Sequence, residues 1–392
     1  MKLGTDFSGI GAPEMALKYL GIDFVSVFAC EIDKYARQSF KQLHNTKTFY
    51  NDITKRNHKE VEQLDLYVAG FPCQAFSMAG KRKGFEDTRG TLFYNVAQFI
   101  KINKPKVFVL ENVKGLVSHD SGKTFQTIID ILSNNGGTQN GQIILDMFDD
   151  GLGYHIYWQV LNTKNYGIPQ NRERIFIVGF KDFKNFNFPK SIKLKLKLKD
   201  LLQDNTNNKY HLSYKMCKSI FQASKGNWQS GKMTIDTDIA KTINARVFKM
   251  GKADTDNYIT VKDKYYLSDK AKERLKRHNN NTIYNDISNC ILAGYYKQGG
   301  RDQQYIQVED KPISKDGISK CLKVGGDVPC FEVKTNTKKI RRLTPLECWR
   351  LQGFKDNDFF SVKGLSDTQL YKQAGNSITV DVLMALFKKI LL

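Results

Sequence analysis

The chain has 392 residues, 61 Lys plus Arg against 40 Asp plus Glu (net +21 with His neutral) and 41% hydrophobic positions. At roughly 100 to 200 residues per domain this predicts two or three domains with ample core, and excludes a disordered tail protein. No run approaches the roughly 18 to 20 apolar residues of a membrane span, and the glycine-rich start MKLGTDFSGIGAPE lacks the apolar stretch of a signal peptide. A soluble, cytoplasmic protein with an anionic partner is expected, nucleic acid first because its phosphates concentrate negative charge.

The first 180 residues alternate short apolar runs with helical stretches. A short strand leads to Asp6, and Phe24–Ala29, Leu64–Phe71, Val107–Leu110, His155–Leu161 and Ile175–Phe180 read as further strands. Between them Pro13–Leu20, Asp33–Leu43, Thr91–Ile102 and Phe125–Leu132 read as helices. This is an α/β pattern with a doubly wound sheet, in which ligands bind beyond the carboxyl ends of the strands.

The middle of the chain differs. Residues 181 to 340 hold 32 basic and 17 acidic residues, net +15, against net +6 for the other 232 positions. Within it KLKLKLK, Lys193 to Lys199, has the period of a strand with one lysine face. A solvated edge and a phosphate-tracking strand both fit that pattern. A faint repeat, Ile239 to Ile243, Ile287 to Ile291 and Ile318 to Leu322, points to a mainly β region whose loops carry Arg246, Lys249, Tyr295, Tyr296 and Lys297. The seven cysteines, 30, 73, 217, 290, 321, 330 and 348, stand singly. They make neither a disulfide framework nor a zinc site of ordinary spacing, and no metal is expected.

Four strand-end segments carry candidate chemistry. In Asp6-Phe7-Ser8-Gly9-Ile10-Gly11 two glycines permit a tight turn, and Glu31 follows at the end of the next strand, a layout for holding a nucleoside ribose. Glu14 stands where a pyrophosphate-binding fingerprint has its last glycine, which argues against a dinucleotide. Gly70-Phe71-Pro72-Cys73 puts a lone thiol after a strand, beside a loop with Gly80, Gly84 and Gly90 and the cations Lys81, Arg82, Lys83 and Arg89. Nearby positive charge favours the thiolate nucleophile. Glu111-Asn112-Val113 ends another strand, where partial burial would hold a proton on the carboxyl. Arg172 and Arg174 alternate before the Ile175 strand.

In order and spelling these segments resemble the DNA (cytosine-5) methyltransferases of the bacterial and phage type. The blocks are DFSGIGAPEMAL, Glu31, Asn51-Asp52-Ile53, GFPCQAFSMAGKRKGFEDTRGTLF, ENVKGL, QNRERIFIVG, RRLTPLECWRLQGF and AGNSITVDVL, at both ends of the chain. The resemblance implies a Rossmann-like adenosylmethionine-dependent methyltransferase fold with a smaller, mainly β target-recognition domain. Residues 1–180 and 341–392 would form the catalytic domain and 181–340 the recognition domain, with Arg341, Arg342, Glu347 and Gln352 organising the junction or simply forming a helix capped at Thr344-Pro345.

The resemblance also implies roles. Cys73 would attack C6 of a flipped-out cytosine, so that C5 takes a methyl group from S-adenosylmethionine. Glu111 would hydrogen-bond N3 and the exocyclic amine, and Arg174 with Arg172 would hold O2. Phe7, Gly9, Gly11, Glu31, Ile32, Asp52, Ile53, Pro72, Leu92, Asn376 and Ser377 would hold the cofactor. Gln74, Ser77, Lys81, Arg82 and Arg89 on the closing loop, and Arg246, Lys249, Tyr295 and Lys297 beyond it, would contact double-stranded DNA. A monomer is implied, with no obligate protein partner and a cognate restriction endonuclease as an open pairing. An RNA-directed relative usually carries Cys-Phe-Thr, where this chain has Cys348-Trp349-Arg350. A silent DNA binder fits poorly with intact Cys73, Glu111 and Arg174, and a nicotinamide oxidoreductase with Glu14 and the basic middle.

Overall fold

A computed structural model describes residues 1–72, 92–133, 138–139, 142–143, 151–204, 206–210, 212, 236–245, 257–261 and 339–392. Seven strands form its main sheet: β1 (Lys2–Asp6), β2 (Val25–Cys30), β3 (Thr48–Tyr50), β4 (Leu66–Ala69), β5 (Val107–Val113), β6 (His155–Asn162) and β7 (Glu173–Phe180). Their order is β3-β2-β1-β4-β5-β7-β6. The first five are parallel, and β7 runs antiparallel to both β5 and β6. Strand order reverses between β1 and β4, the switch point where such sheets open a crevice. Register fixes what lines it: Asp6 pairs with Ala69, Ala69 with Leu110, and Phe176 with Glu111. The loops after β1, β4 and β5 therefore leave the sheet side by side.

Composition explains the strands. β4 reads LYVA, buried at every position, as expected of a parallel strand covered on both faces. Helices α1 (Ala12–Leu20), α2 (Lys34–Leu43), α3 (Leu92–Asn103) and α4 (Lys123–Leu132) alternate with them. Pro13 in the first turn and left-handed Gly21 at the end delimit α1, and the Asp33 carboxylate caps α2 by accepting from the Tyr35 and Ala36 amides. Phe28, Tyr67, Phe93, Phe99, Phe108, Leu110 and Ile128 share one buried cluster.

The C-terminal segment supplies α5 (Pro345–Arg350), α6 (Asp356–Ser361), α7 (Asp367–Asn376) and α8 (Val380–Leu391). Helix α8 packs on α1, and α6 and α7 on α2. Polar ties fix that seam: Ser39 donates to Gln373 Oε1 at 3.0 Å, Gln373 donates back to the Tyr35 carbonyl at 3.0 Å, and Lys372 pairs with Asp33. Helix α5 begins in a reciprocal capping box, Thr344 Oγ1 accepting from the Glu347 amide and Glu347 accepting from the Thr344 amide.

The lysine run corrects the sequence reading. Residues 191–197 form no strand, and Leu198 opens a single 3₁₀ turn, Leu198–Leu201. Ile192 and Leu196 are exposed alongside the lysines, and among the described residues no neighbouring strand offers a hydrogen-bond ladder; the anchoring bonds run instead from the Ile192 amide to the Asn165 carbonyl and from the Leu198 amide to the Asp238 carbonyl. Of the repeat phrases, Ala240–Lys241 forms a two-residue strand parallel to Gln170–Asn171; the phrases at 287 and 318 lie outside the described residues. The chain forms two compact units, Met1–Tyr258 with Arg342–Leu392, and Ile259–Arg341. Strand Tyr258–Val261 pairs with Lys339–Arg342.

Candidate active site

The loop after β1 is wound left-handed at Phe7 (φ 53°), Gly9 (φ 55°) and Gly11 (φ 81°). Phe7 holds a backbone conformation that costs a non-glycine residue about 1–3 kcal/mol, the kind of strain retained where a ligand shapes a loop. At Gly11 a side chain is excluded twice over, because a Cβ would lie 2.3 Å from the His44 ring. His44 donates from Nε2 to the Ile10 carbonyl at 3.1 Å, and burial keeps it neutral by lowering its pKa to about 4.

Glu31 faces this loop from the end of β2. Its Oε2 accepts the Gly9 amide at 2.9 Å and its Oε1 the Asp33 amide at 2.8 Å, while burial raises its pKa against those donors. Arg37 from α2 holds the turn from behind, donating to the carbonyls of Glu31 (3.0 Å) and Ile32 (2.7 Å). Ile32 is left 74% exposed, an apolar side chain in solvent at the mouth of the crevice. Farther along, Asp52 accepts from the amide and hydroxyl of Thr54 through Oδ1, and Ile53 is buried beside it.

Beneath the loop Glu14 is fully buried. Its Oε1 accepts from Thr5 Oγ1 at 2.9 Å, its Oε2 has no partner among the described residues, and burial pushes its pKa from 4.5 up to about 7. The folded state therefore favours the protonated acid. That stability is fully present below the unfolded pKa of 4.5 and is lost as pH rises through about 7. Integrated, it amounts to about 3 kcal/mol on the alkaline side. Glu14→Gln, which cannot ionise, is expected to flatten the melting temperature between about pH 5 and pH 8.5 and to exceed the wild type at the upper end. Parallel pH profiles for the two proteins would refute this role.

The second half of the crevice lies at β4, β5 and β7. Arg174 Nε sits 3.1 Å from Glu111 Oε1, with side chains only 19% and 11% exposed. Burial raises the Glu111 pKa, and the charges of Arg174 and Arg172 oppose that rise. A Cβ on Gly70 would lie 3.4 Å from Glu111 Oε2 and 3.6 Å from Ile378 Cδ1. The strand end that leads to Cys73, the Glu111 carboxyl and the C-terminal AGNSI segment therefore converge. Asn112, whose side chain alternates to the opposite face, donates from Nδ2 to the Phe71 carbonyl at 2.9 Å and so pins the chain one residue before Pro72.

Both terminal nitrogens of Arg172 bond the backbone, while its buried Nε has no partner among the described residues. It donates to the carbonyls of Ile243 (2.7 Å), Gly375 (3.2 Å) and Ser377 (2.9 Å). Gln170 reinforces this junction, accepting from the Ile243 amide and donating to the Leu351 carbonyl. The approach is tight: a Cβ on Gly375 would fall 2.2–2.4 Å from the Asn244–Ala245 backbone.

Pro72 and Asn376 are exposed, Leu92 is half-buried at the start of α3, and Ser377 is buried. Cys73, Gln74, Ser77, Lys81, Arg82, Arg89, Arg246, Lys249, Tyr295 and Lys297 lie outside the described residues. The sequence reading did not single out Arg37, the amide of Asn112 or the buried Arg56. Only Asn112 had a signal, its place in the Glu111 block.

Matched against solved structures, the chain superposes over its full length on S. pombe Dnmt2 methyltransferase (TM-score 0.65, 16% identity, 100% of both chains) and on the Entamoeba histolytica methyltransferase EhMeth (TM-score 0.63, 15% identity, covering 100% and 97%). The architecture is the Rossmann-like methyltransferase fold, with an acidic residue after β2 and a strained glycine loop after β1. The chain itself belongs to the C-5 cytosine-specific DNA methylase family, which it matches over residues 2–392. It is similar to the orphan methyltransferase M.SPRI of Bacillus phage SPR (34% identity over 98% of this chain and 96% of that protein). It is also similar to the type II methyltransferase M.SsoII of Shigella sonnei (33%, covering 98% and 78%). It is an enzyme of DNA methylation, and no helix among its described residues is long and apolar enough to cross a membrane.

Proposed function

We propose that the protein methylates C5 of a cytosine flipped out of double-stranded DNA within a defined sequence, using S-adenosylmethionine and a covalent bond from Cys73 to C6. The observation that carries this reading is the Glu111–Arg174 pair, placed beside Gly70 at the start of the loop to Cys73. In its acid form, which burial favours, the Glu111 carboxyl presents a donor to cytosine N3 and an acceptor to the exocyclic amine, and Arg174 adds donors for O2. Addition of the Cys73 thiolate at C6 puts electron density on C5; after methylation the C5 proton is removed and Cys73 leaves. Arg172, whose terminal nitrogens bond three carbonyls, would hold Arg174's strand against the AGNSI turn beside the base.

The cofactor side fits a nucleoside. Each Glu31 oxygen accepts one amide and keeps a lone pair for a ribose hydroxyl, and Ile32 and Ile53 offer apolar surface for adenine, with Asp52 at its edge. Phe7, Gly9, Gly11, Pro72, Leu92, Asn376 and Ser377 would complete the pocket. When bound, S-adenosylmethionine supplies an electrophilic methyl group. The loop bearing Gln74, Ser77, Lys81, Arg82 and Arg89 would close over the base, and Arg246, Lys249, Tyr295 and Lys297 of residues 181–340 would read the duplex. The enzyme would act as a cytoplasmic monomer, alone or beside a cognate restriction endonuclease.

The test is methylation sequencing of plasmid from a host without cytosine methylation. Wild type is expected to mark cytosines in a fixed context, and Cys73→Ala to mark none while still binding S-adenosylhomocysteine and DNA. Turnover by the variant would remove Cys73 from the mechanism, and unmarked wild-type plasmid would remove DNA as the substrate.

A further inference from the structure

The lysine run at 193–199 has no part in the mechanism above, yet its placement is specific. Lys193, Lys195, Lys197 and Lys199 are all exposed, as are Ile192 and Leu196, whereas Leu198 is buried and Leu194 half-buried, so Leu198 and Leu194 seat the segment and the lysines lie in solvent. Among the described residues only Lys197 is ion-paired, with Asp238 at 3.0 Å. The one carboxylate inside the turn, Asp200, is occupied by the Lys197 amide at 2.8 Å. Among the described residues no acidic side chain pairs with Lys193, Lys195 or Lys199. A positive charge kept uncompensated in this way is suited to a counterion that arrives from outside.

The two ends of the run are tied to two neighbouring segments. The Ile192 amide bonds to the Asn165 carbonyl, in the turn that follows β6. The Leu198 amide bonds to the Asp238 carbonyl, two residues before Ala240–Lys241, which pairs with Gln170–Asn171. Arg172 and Arg174 come next in the chain. The lysines are thus carried on the connection that delivers Arg174 to Glu111, at the carboxyl edge of the sheet.

We infer that Lys193, Lys195 and Lys199 form a track for the phosphate backbone of duplex DNA, independent of base sequence. The inference rests on the reading that duplex DNA is the substrate. Six residues of extended chain span at most about 20 Å, alongside which a duplex presents about a dozen phosphate charges. Mobile ammonium groups without a fixed fork suit charge tracking, since they make no base-specific geometry. Freedom from a strand ladder leaves the segment able to follow the backbone.

The experiment uses the full-length protein and a labelled duplex of about 30 base pairs, with affinity measured from about 50 to 200 mM KCl. The triple variant Lys193→Gln, Lys195→Gln, Lys199→Gln is compared with a control that loses equal charge elsewhere, Lys59→Gln, Lys104→Gln, Lys389→Gln. Melting temperature and S-adenosylhomocysteine affinity are recorded for all three proteins, and both are expected to be unchanged. The track variant is expected to have a log–log salt slope shallower by about 2 to 3, at about 0.9 per phosphate contact, and at least about tenfold weaker binding at low salt. Its kcat at saturating DNA should be that of wild type. A wild-type slope in the track variant would overturn the inference, as would an equal change in the control, which would mean net charge alone. Wild-type protein that binds duplex without salt dependence would overturn the underlying reading of the substrate, and the track with it.

Discussion

Glu111→Gln is expected to lower kcat on DNA by about 10² to 10⁴-fold, the usual weight of a general acid, with S-adenosylhomocysteine affinity within about twofold of wild type. Gln fills the same volume beside Gly70 and can still accept from Arg174, so the pocket should survive; what it lacks is an acidic proton. The pH profile separates this from a packing effect. Burial raises the Glu111 pKa, so the acid form persists to higher pH than an ordinary carboxyl would, and the wild-type rate should fall as pH rises through that value. The Gln variant, slow throughout, should lose this limb. Steady-state and single-turnover rates across the range check it, and a variant that keeps the limb would transfer the titration to another group.

The largest effect on stability is expected at Arg56. Its guanidinium is wholly buried, bonds bidentately to Asp6 at 2.7 Å, and lies 4.4 Å and 4.5 Å from the ring centres of Phe28 and Phe99. Tyr67 donates its hydroxyl to the same carboxylate at 2.6 Å. Arg56→Leu leaves Asp6 buried against neutral donors alone, and a loss of about 3–5 kcal/mol is expected. Adding Asp6→Leu removes the orphaned charge and should recover much of it, because replacing a whole buried pair with apolar groups is often neutral. Denaturant melts of the two variants decide this: a double variant no more stable than Arg56→Leu would mean that the aromatic contacts, and not the unpaired carboxylate, carry the cost. Asp6 ends β1 one residue before Phe7, so the same change should weaken cofactor binding.

The elements of the sheet domain were legible because burial imposes period. The helix read at Pro13–Leu20 lies at Ala12–Leu20, and the apolar run Ile175–Phe180 forms most of β7. Alternation misled at Lys193–Lys199, since a period of two guarantees neither a buried face, Leu196 being exposed, nor a neighbour for the backbone. Strand order was not legible either: nothing local to Asp6, Ala69 or Leu110 states that they stand in one row. Glu111 and Arg174 were readable as chemistry, 63 residues apart, but their 3.1 Å approach comes from the antiparallel β5–β7 pairing. Arg56 was invisible because an arginine in a Lys-rich stretch, KRNHK, carries no sign that its partner lies at the end of β1. Charge and position were readable for Arg172, while its three carbonyl partners belong to segments up to 205 residues away.

The seam between α2 and α7, and the packing of α8 on α1, build the crevice from two stretches of chain far apart in sequence. The turn at Gly375–Ser377 meets Arg172 and Ile378 lies beside Gly70, while Glu31 faces the Gly9 loop from β2. A chain cut between those stretches therefore leaves each fragment with one wall of the pocket. Activity in such a pair would report their reassembly.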